Sequence, residues 1–147
     1  MIRIENLYKS FDGIEILKNI STNFEKGKTN LIIGQSGSGK TVLLKSILGL
    51  IKAERGNIIF GDKLISNMKQ KERAELRQDI GMVFQGSALF DSINVEENVM
   101  FPMKMFTNKH HTEILDRANV AIKRVNLINS NHKMPAELSG GMKKRVA

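Results

Sequence analysis

The segment Gly34–Thr41, GQSGSGKT, constrains this chain more than any other. It fits the pattern G-x-x-x-x-G-K-[ST] at every fixed position. Small residues let backbone N–H groups turn inward around phosphate oxygens, and the N-terminus of the helix that follows adds its dipole. Gly34, Gln35, Ser36, Gly37, Ser38 and Gly39 form such a cradle. Lys40 then reaches the β and γ phosphates of a nucleotide, and the Thr41 hydroxyl is placed to ligate Mg²⁺. The apolar run NLII precedes the loop and TVLLKSIL, apolar at helical spacing, follows it, so the loop is expected between a strand and a helix. The alternative, a flexible Gly/Ser turn with an exposed lysine, does not account for those flanks.

Ahead of the loop, IRIENLYKSF, ILKNISTNF and KTNLIIG read as strands, punctuated by DG and EKGK. Beyond it, NIIFGDKLI predicts a strand or hairpin, KQKERAELRQ a surface helix and IGMVF a short buried strand. VEENVMF predicts a short helix stopped by Pro102. From Thr112 to about Asn126 the pattern is that of an amphipathic helix with Thr112 at its cap. NSNHKMP is a polar linker, after which Ser139 caps a last helix. Strands followed by a strand–loop–helix unit point to an α/β nucleotide-binding layer with helical additions.

Composition narrows the setting. There is no cysteine, so disulfides and thiolate metal sites are excluded. The N-terminal MIRIENLYKSFDG lacks the apolar stretch of a signal peptide, and no apolar run is long enough to span a bilayer. The net charge of +8 gathers mildly at KQKER, NKHH and KKR, which would suit an anionic membrane surface or nucleic acid. No stacking aromatics interleave with these clusters, so no nucleic-acid partner is expected.

Taken together, four segments resemble the nucleotide-binding domain of ABC-type ATPases. Tyr8 in NLYKSF stands where that family places an aromatic that stacks on adenine, and GQSGSGKT is similar to its Walker A loop. Gln85, ending MVFQ, matches the Q-loop glutamine, which touches the metal or the attacking water and senses the transport partner. LSGGM, Leu138–Met142, resembles the signature motif, usually LSGGQ. Alone, Tyr8 reads as packing, Gln85 as a polar strand end and SGG as a helix cap. It is their joint occurrence around a full phosphate loop, in the family's order, that carries the resemblance.

The resemblance implies a P-loop NTPase of α/β class, with a RecA-like parallel sheet core, an antiparallel β-subdomain and the start of a helical subdomain, truncated. It implies ATP and Mg²⁺ as cofactors, Lys40 and Gln85 as catalytic residues, and Thr41 and Gln85 at the metal. Tyr8, residues 34–41 and the donors Ser139, Gly140 and Gly141 would bind the nucleotide. The signature would face the γ-phosphate held by a second ATP-binding subunit, giving a head-to-tail homodimer that sandwiches two nucleotides. Transmembrane permease subunits would be the other partners, and the location cytoplasmic, peripheral on the inner face of the cell membrane. FQGSALFDSINVEENVMFP and PAELSGGMKKRVA are similar to the ATPases of phospholipid-trafficking, mammalian-cell-entry-associated transporters, in which Met also occupies the signature position of Met142. Gly86–Glu137 is then where a coupling helix from the membrane subunit docks.

The family also requires a Walker B strand ending in Asp-Glu, a D-loop and a switch histidine. No run of four apolar residues is followed by Asp; NIIFGD comes nearest, but Gly61 intervenes and Asp62 precedes the Q-loop. His110, His111 and His132 all precede the signature. Residues 1–147 are therefore expected to be a partial ABC-type nucleotide-binding domain, its core partly uncovered and hydrolytically inactive alone. Two other readings compete: a non-transport ABC ATPase of DNA repair or ribosomes, and a non-hydrolysing nucleotide-binding module.

Overall fold

The computed structural model describes the backbone of residues 1–147 and every side chain but that of Ser66. The chain divides into two compact units, Met1–Ile80 and Gly81–Ala147.

In the first unit, β1 (Ile2–Phe11) lies between β2 (Ile14–Phe24) and β3 (Arg55–Phe60), and β4 (Lys63–Leu64) follows β3 in one antiparallel sheet. Asp12 and Gly13 both take positive φ and close the β1–β2 hairpin in two residues, as its right-handed twist favours. At Asn6, β1 carries one extra residue against each neighbour. Asn6 and Leu7 together face Gly56 of β3, and Glu5 and Asn6 together face Ser21 of β2. Asn6 adopts φ 46; its N–H donates to Ser21 Oγ at 2.9 Å and its side chain to Asn19 Oδ1 at 2.8 Å. An inserted residue reverses the face of everything after it. Ile4 and Leu7 are consequently both buried, at 1% and 0% exposure, and Tyr8 passes to the opposite face. The bulge needs Gly56: its φ is +94°, and a Cβ there would lie 2.3 Å from the Asn6 carbonyl oxygen.

The core of this unit joins Ile4, Leu7, Leu17 and Ile58 of the sheet to Leu43 and Ile47 of α1 (Lys40–Ile47) and to Ile65. α2 (Gln70–Gln78) has no fully buried residue, in keeping with its mostly polar sequence, though Leu76 packs on the core; it starts where Glu72 accepts from the Lys69 N–H at 2.7 Å. The β3–β4 pair is the hairpin expected from NIIFGDKLI. Across this sheet's far end, the Glu54 N–H donates to Tyr8 O at 3.0 Å and the Glu54 carboxylate accepts from the Ser10 N–H at 3.0 Å.

The second unit packs α3 (Val95–Phe106), α4 (His111–Arg124) and α5 (Gly140–Val146). Met100 of α3 is buried with Ile114 and Ala118 of α4; Val95, Ile122, Leu127 and Leu138 form a second cluster, against which Met142 and Val146 of α5 rest. α3 opens with a capping box in which Asn94 Oδ1 accepts from Glu97 N at 2.9 Å and Glu97 returns the bond at 3.0 Å.

Four sequence expectations need correction. KTNLIIG and IGMVF form no strand; Leu31 and Ile33 are 82% and 81% exposed and Val83 63%. A strand exists through ladder bonds to neighbours, and among the described residues only the antiparallel β1–β4 ladders form. The segments expected to supply the parallel layer are thus without ladder partners. Pro102 does not stop α3, which continues to Phe106. Losing one N–H costs the helix about 3 kcal/mol, and burial of Met100, with Val99 and Met103 packed beside it, offsets that loss. Finally, α4 starts at His111 with His110 at its cap, and the Thr112 hydroxyl lies 3.1 Å from His110 Nδ1 instead of capping.

Gly56→Ala is expected to destabilise the first unit by roughly 3 kcal/mol, since strain at positive φ and a backbone clash add; a urea titration beside Asn57→Ala measures it. The Glu54 carboxyl is held below the ordinary carboxylate range by the Ser10 N–H above all, and further by Lys9. With the folded pKa the lower one, its stabilisation is complete above the unfolded value of about 4.3 and is lost as pH falls through the folded value. The gap in urea midpoint between the wild type and Glu54→Gln is therefore expected to hold steady from neutral pH to about pH 5 and to close in stronger acid.

Candidate functional site

The loop of residues 34–38 is exposed and runs directly into α1. Gly39 is the helix N-cap, with φ 88, and the first turn begins with the Leu43 N–H donating to Gly39 O at 2.8 Å. The glycine is also a packing requirement. A Cβ at position 39 would sit 2.9 Å from Ile16 Cγ2 and 3.2 Å from the Ile16 carbonyl oxygen, so the loop's end presses on β2. Lys40 folds back across the loop, and its ammonium donates to the carbonyls of Gly34 at 2.8 Å and Gln35 at 2.7 Å. A fixed cation beside the free N–H groups of a helix N-terminus, with little side-chain bulk in the loop, is an anion cradle. Thr41 is exposed on the first turn beside it.

Two aromatic residues of β1 lie in this unit, in different surroundings. Tyr8, half-buried, pairs across the sheet with Arg55 of β3, whose guanidinium carbon lies 4.4 Å from the ring centroid. Its ring thus already has a cation on one face, supplied from the β3 side, away from the strand on which the phosphate loop rests. Phe11, at the β1–β2 turn, is 42% exposed. Lys9 pairs with Leu17 on β2, next to Ile16, which touches the loop's end. Its ammonium lies 4.9 Å from the Phe11 centroid and 3.3 Å from Glu54 Oε1. Phe11, Lys9, Glu54 and Arg55 were not singled out from the sequence. The available signal was an aromatic immediately before the DG turn.

In the second unit, Gln85 is exposed in a turn closed by the Ser87 N–H donating to Phe84 O at 3.0 Å. The segment that follows is tied to α3 by Asn98. Its Oδ1 accepts from Phe90 N at 2.8 Å, and its Nδ2 donates to the carbonyls of Phe90, Ile93 and Asn94 at 3.1, 3.0 and 2.9 Å. The Phe90 and Phe101 rings meet with centroids 4.5 Å apart. Asn98 is another residue not singled out from the sequence, because an amide on a helix surface gives no sign of the loop it will hold.

The signature segment is built as expected from Ser139. Its Oγ accepts from the Met142 N–H at 3.3 Å, which leaves its O–H proton free to donate. Ser139, Gly140 and Gly141 are exposed, while Met142 is half-buried against the Val95–Leu127 cluster. Arg145 donates to the carbonyls of Val125 and Asn126 at 2.9 and 3.2 Å, tying α5 to the C-terminus of α4. His110, His111 and His132 are all exposed, and among the described residues no three His, Asp or Glu side chains gather as a metal site. Among the described residues no helix is long and apolar enough to cross a membrane.

The family described as ABC transporter matches residues 17–147. The "Probable ribonucleotide transport ATP-binding protein mkl" of Mycobacterium leprae (strain TN) is 38% identical over 145 residues, 99% of this chain and 42% of that protein. The "Methionine import ATP-binding protein MetN" of Clostridium tetani is 37% identical over 147 residues, 100% of this chain and 46% of that protein. Among solved structures, MJ0796, described as a bacterial ABC transporter cassette in a dimeric structure, superposes with TM-score 0.91 at 31% identity, over 99% of this chain and 66% of that one. The chain spans less than half the length of these two curated relatives. The match runs through the phosphate loop, the Gln85 turn and the capped LSGG helix alike, and the chain belongs to the ABC transporter family.

Proposed function

We propose that this chain is part of the ATP-binding subunit of an ABC transporter, binding ATP with Mg²⁺ so that the whole protein drives membrane partners. The observation that carries this reading is Lys40, pinned by two loop carbonyls at the mouth of an exposed phosphate cradle. A triphosphate fits such a cradle in charge and in donors. The Thr41 hydroxyl is the residue that would hold the magnesium, which supplies charge neutralisation between the β and γ phosphates. Lys40 neutralises the same oxygens from the protein side. Gln85 is the residue we assign to the metal or the attacking water, and Ser139, Gly140 and Gly141 to the γ-phosphate of a second copy, in a head-to-tail homodimer.

For the adenine platform, the surroundings favour Phe11 over Tyr8. Phe11 is exposed at the turn into β2, the strand that supports the loop, whereas Tyr8 is half-buried and turned toward Arg55 of β3.

Lipid or other hydrophobic cargo, carried across a bacterial envelope by permease partners at the inner face of the cell membrane, is supported by the FQGSALFDSINVEENVMFP and PAELSGGM segments. The two named relatives carry ribonucleotide transport and methionine import in their names. An ATP-binding subunit does not itself touch the cargo, so copurification with permease subunits and their lipid content decides this point. Copurification with ribosomes or DNA would instead favour a non-transport ATPase.

In calorimetry, Lys40→Ala is expected to weaken ATP binding by roughly tenfold or more, the loss of charge-assisted bonds. No steady ATP turnover is expected from the 147-residue chain, which has no apolar run ending in Asp-Glu to polarise water; sustained phosphate release that Lys40→Ala abolishes would overturn this. Phe11→Ala is expected to weaken ATP binding at least fivefold, as for loss of a stacked base, and to leave inorganic tripolyphosphate binding unchanged. Tyr8→Ala is expected to change neither.

A further inference from the structure

Lys9 is unusual among the lysines of the sheet. Its side chain is only 16% exposed, although ammonium groups are seldom covered without a reason. The groups its ammonium meets are the Glu54 carboxylate at 3.3 Å and the face of Phe11 at 4.9 Å. Glu54 is itself fixed at both ends, through its N–H to Tyr8 O and its carboxylate to the Ser10 N–H. The result is a relay from the turn before β3, through Glu54 and Lys9, to an exposed phenylalanine at the hairpin turn.

An exposed Phe at such a turn would otherwise sample several rotamers, and a stacking ligand would have to order it on binding. An ammonium against one face restrains the ring through its quadrupole, and at 42% exposure Phe11 keeps surface for a planar group. We propose that Lys9 and Glu54 are positioning residues for nucleotide binding, holding Phe11 as a preformed platform for the base of ATP. Neither touches the nucleotide. The inference rests on the reading of Phe11 as the base platform given above, and deepens it.

The test compares ATP with inorganic tripolyphosphate, measured by calorimetry on the full 147-residue chain. Tripolyphosphate occupies the phosphate loop and has no base. Lys9→Met and Glu54→Gln are each expected to weaken ATP binding roughly two- to fivefold, in keeping with exposed cation–π contacts, with tripolyphosphate unchanged. Lys9→Arg, which keeps the cation, is expected to restore most of the loss. In a Phe11→Ala background both substitutions are expected to have no further effect on ATP, since their action runs through the ring. The chain has no tryptophan, so Phe11→Trp also supplies a unique fluorophore. Glu54→Gln in that background is expected to change its emission and anisotropy before any nucleotide is added.

The outcomes separate the two ideas. Should Phe11→Ala leave ATP binding intact, the platform reading falls and this inference with it. Should Phe11→Ala weaken ATP while Lys9→Met and Glu54→Gln do not, the platform stands and the relay is overturned. Equal losses for ATP and tripolyphosphate, or additive losses in the Phe11→Ala background, would mean the pair only supports the fold, and would likewise overturn it.

Discussion

One inserted residue in β1 sets the arrangement of the first unit. Asn6 has no partner residue of its own in either neighbouring strand, and Gly56 has no side chain because the Asn6 carbonyl occupies that space. The insertion turns Leu7 inward to meet Leu17, Leu43 and Ile47, and so seats α1 and the loop that precedes it. It also fixes which β1 residues meet the start of β3: Tyr8 faces Arg55, and Ser10 meets Glu54. Without it, strict alternation would carry Tyr8 to the core and Leu7 to water. The phosphate loop is therefore positioned from beneath by a core whose register depends on an asparagine and a glycine remote from it in sequence.

Much of this was legible beforehand, and the reasons differ by element. Residues 34–41 announce themselves because backbone curvature, a cation and a hydroxyl must be supplied at fixed spacing, whatever surrounds them. The two hairpins and α2 follow from local signals, DG and GD turns and a mostly polar helix. Ser139 was legible as a cap because its action is confined to the next turn. Phe11, Lys9 and Glu54 were not legible, since their association spans 45 positions from Lys9 to Glu54 and depends on the bulge that aligns them. Pro102 misled for a related reason. The rule against proline is local, and the packing of Met100 on α4 that overrides it is not.

The segments that read as strands, residues 28–34 and 80–84, expose a different limit. Apolar β-branched composition reports that a segment suits a ladder flanked on both sides, and it says nothing of whether the ladder exists. Leu31, Ile33 and Val83 remain largely in water because a parallel strand has no hydrogen-bonding partner of its own making. The antiparallel sheet escapes this dependence, for its strands are joined through short turns and bring their own neighbours. The same solved cassette that superposes over nearly all of this chain is longer, with only 66% of it matched. Local sequence thus specifies the hairpin sheet and the helices fully, and specifies the parallel strands only as candidates.

Met142 shows how a departure from a motif can be structural without touching its chemistry. The first turn of α5 presents Ser139, Gly140 and Gly141 to solvent, where N–H and O–H groups are free to meet an anion. The side chain at 142 points elsewhere, into contact with the cluster of Val95, Ile122, Leu127 and Leu138. A glutamine at that place would bring a primary amide against apolar groups and would have to reach past them for a partner, which carries a desolvation cost. Methionine fills the same length with a flexible apolar chain and seats the helix instead. Arg145 fastens the other side of α5 to the carbonyl end of α4, so the helix is held both by packing and by charge-assisted bonds. The exposed donors are thus carried on an element whose orientation is fixed by residues that take no part in binding, and replacing the amide by a thioether strengthens that support while leaving the donors unchanged.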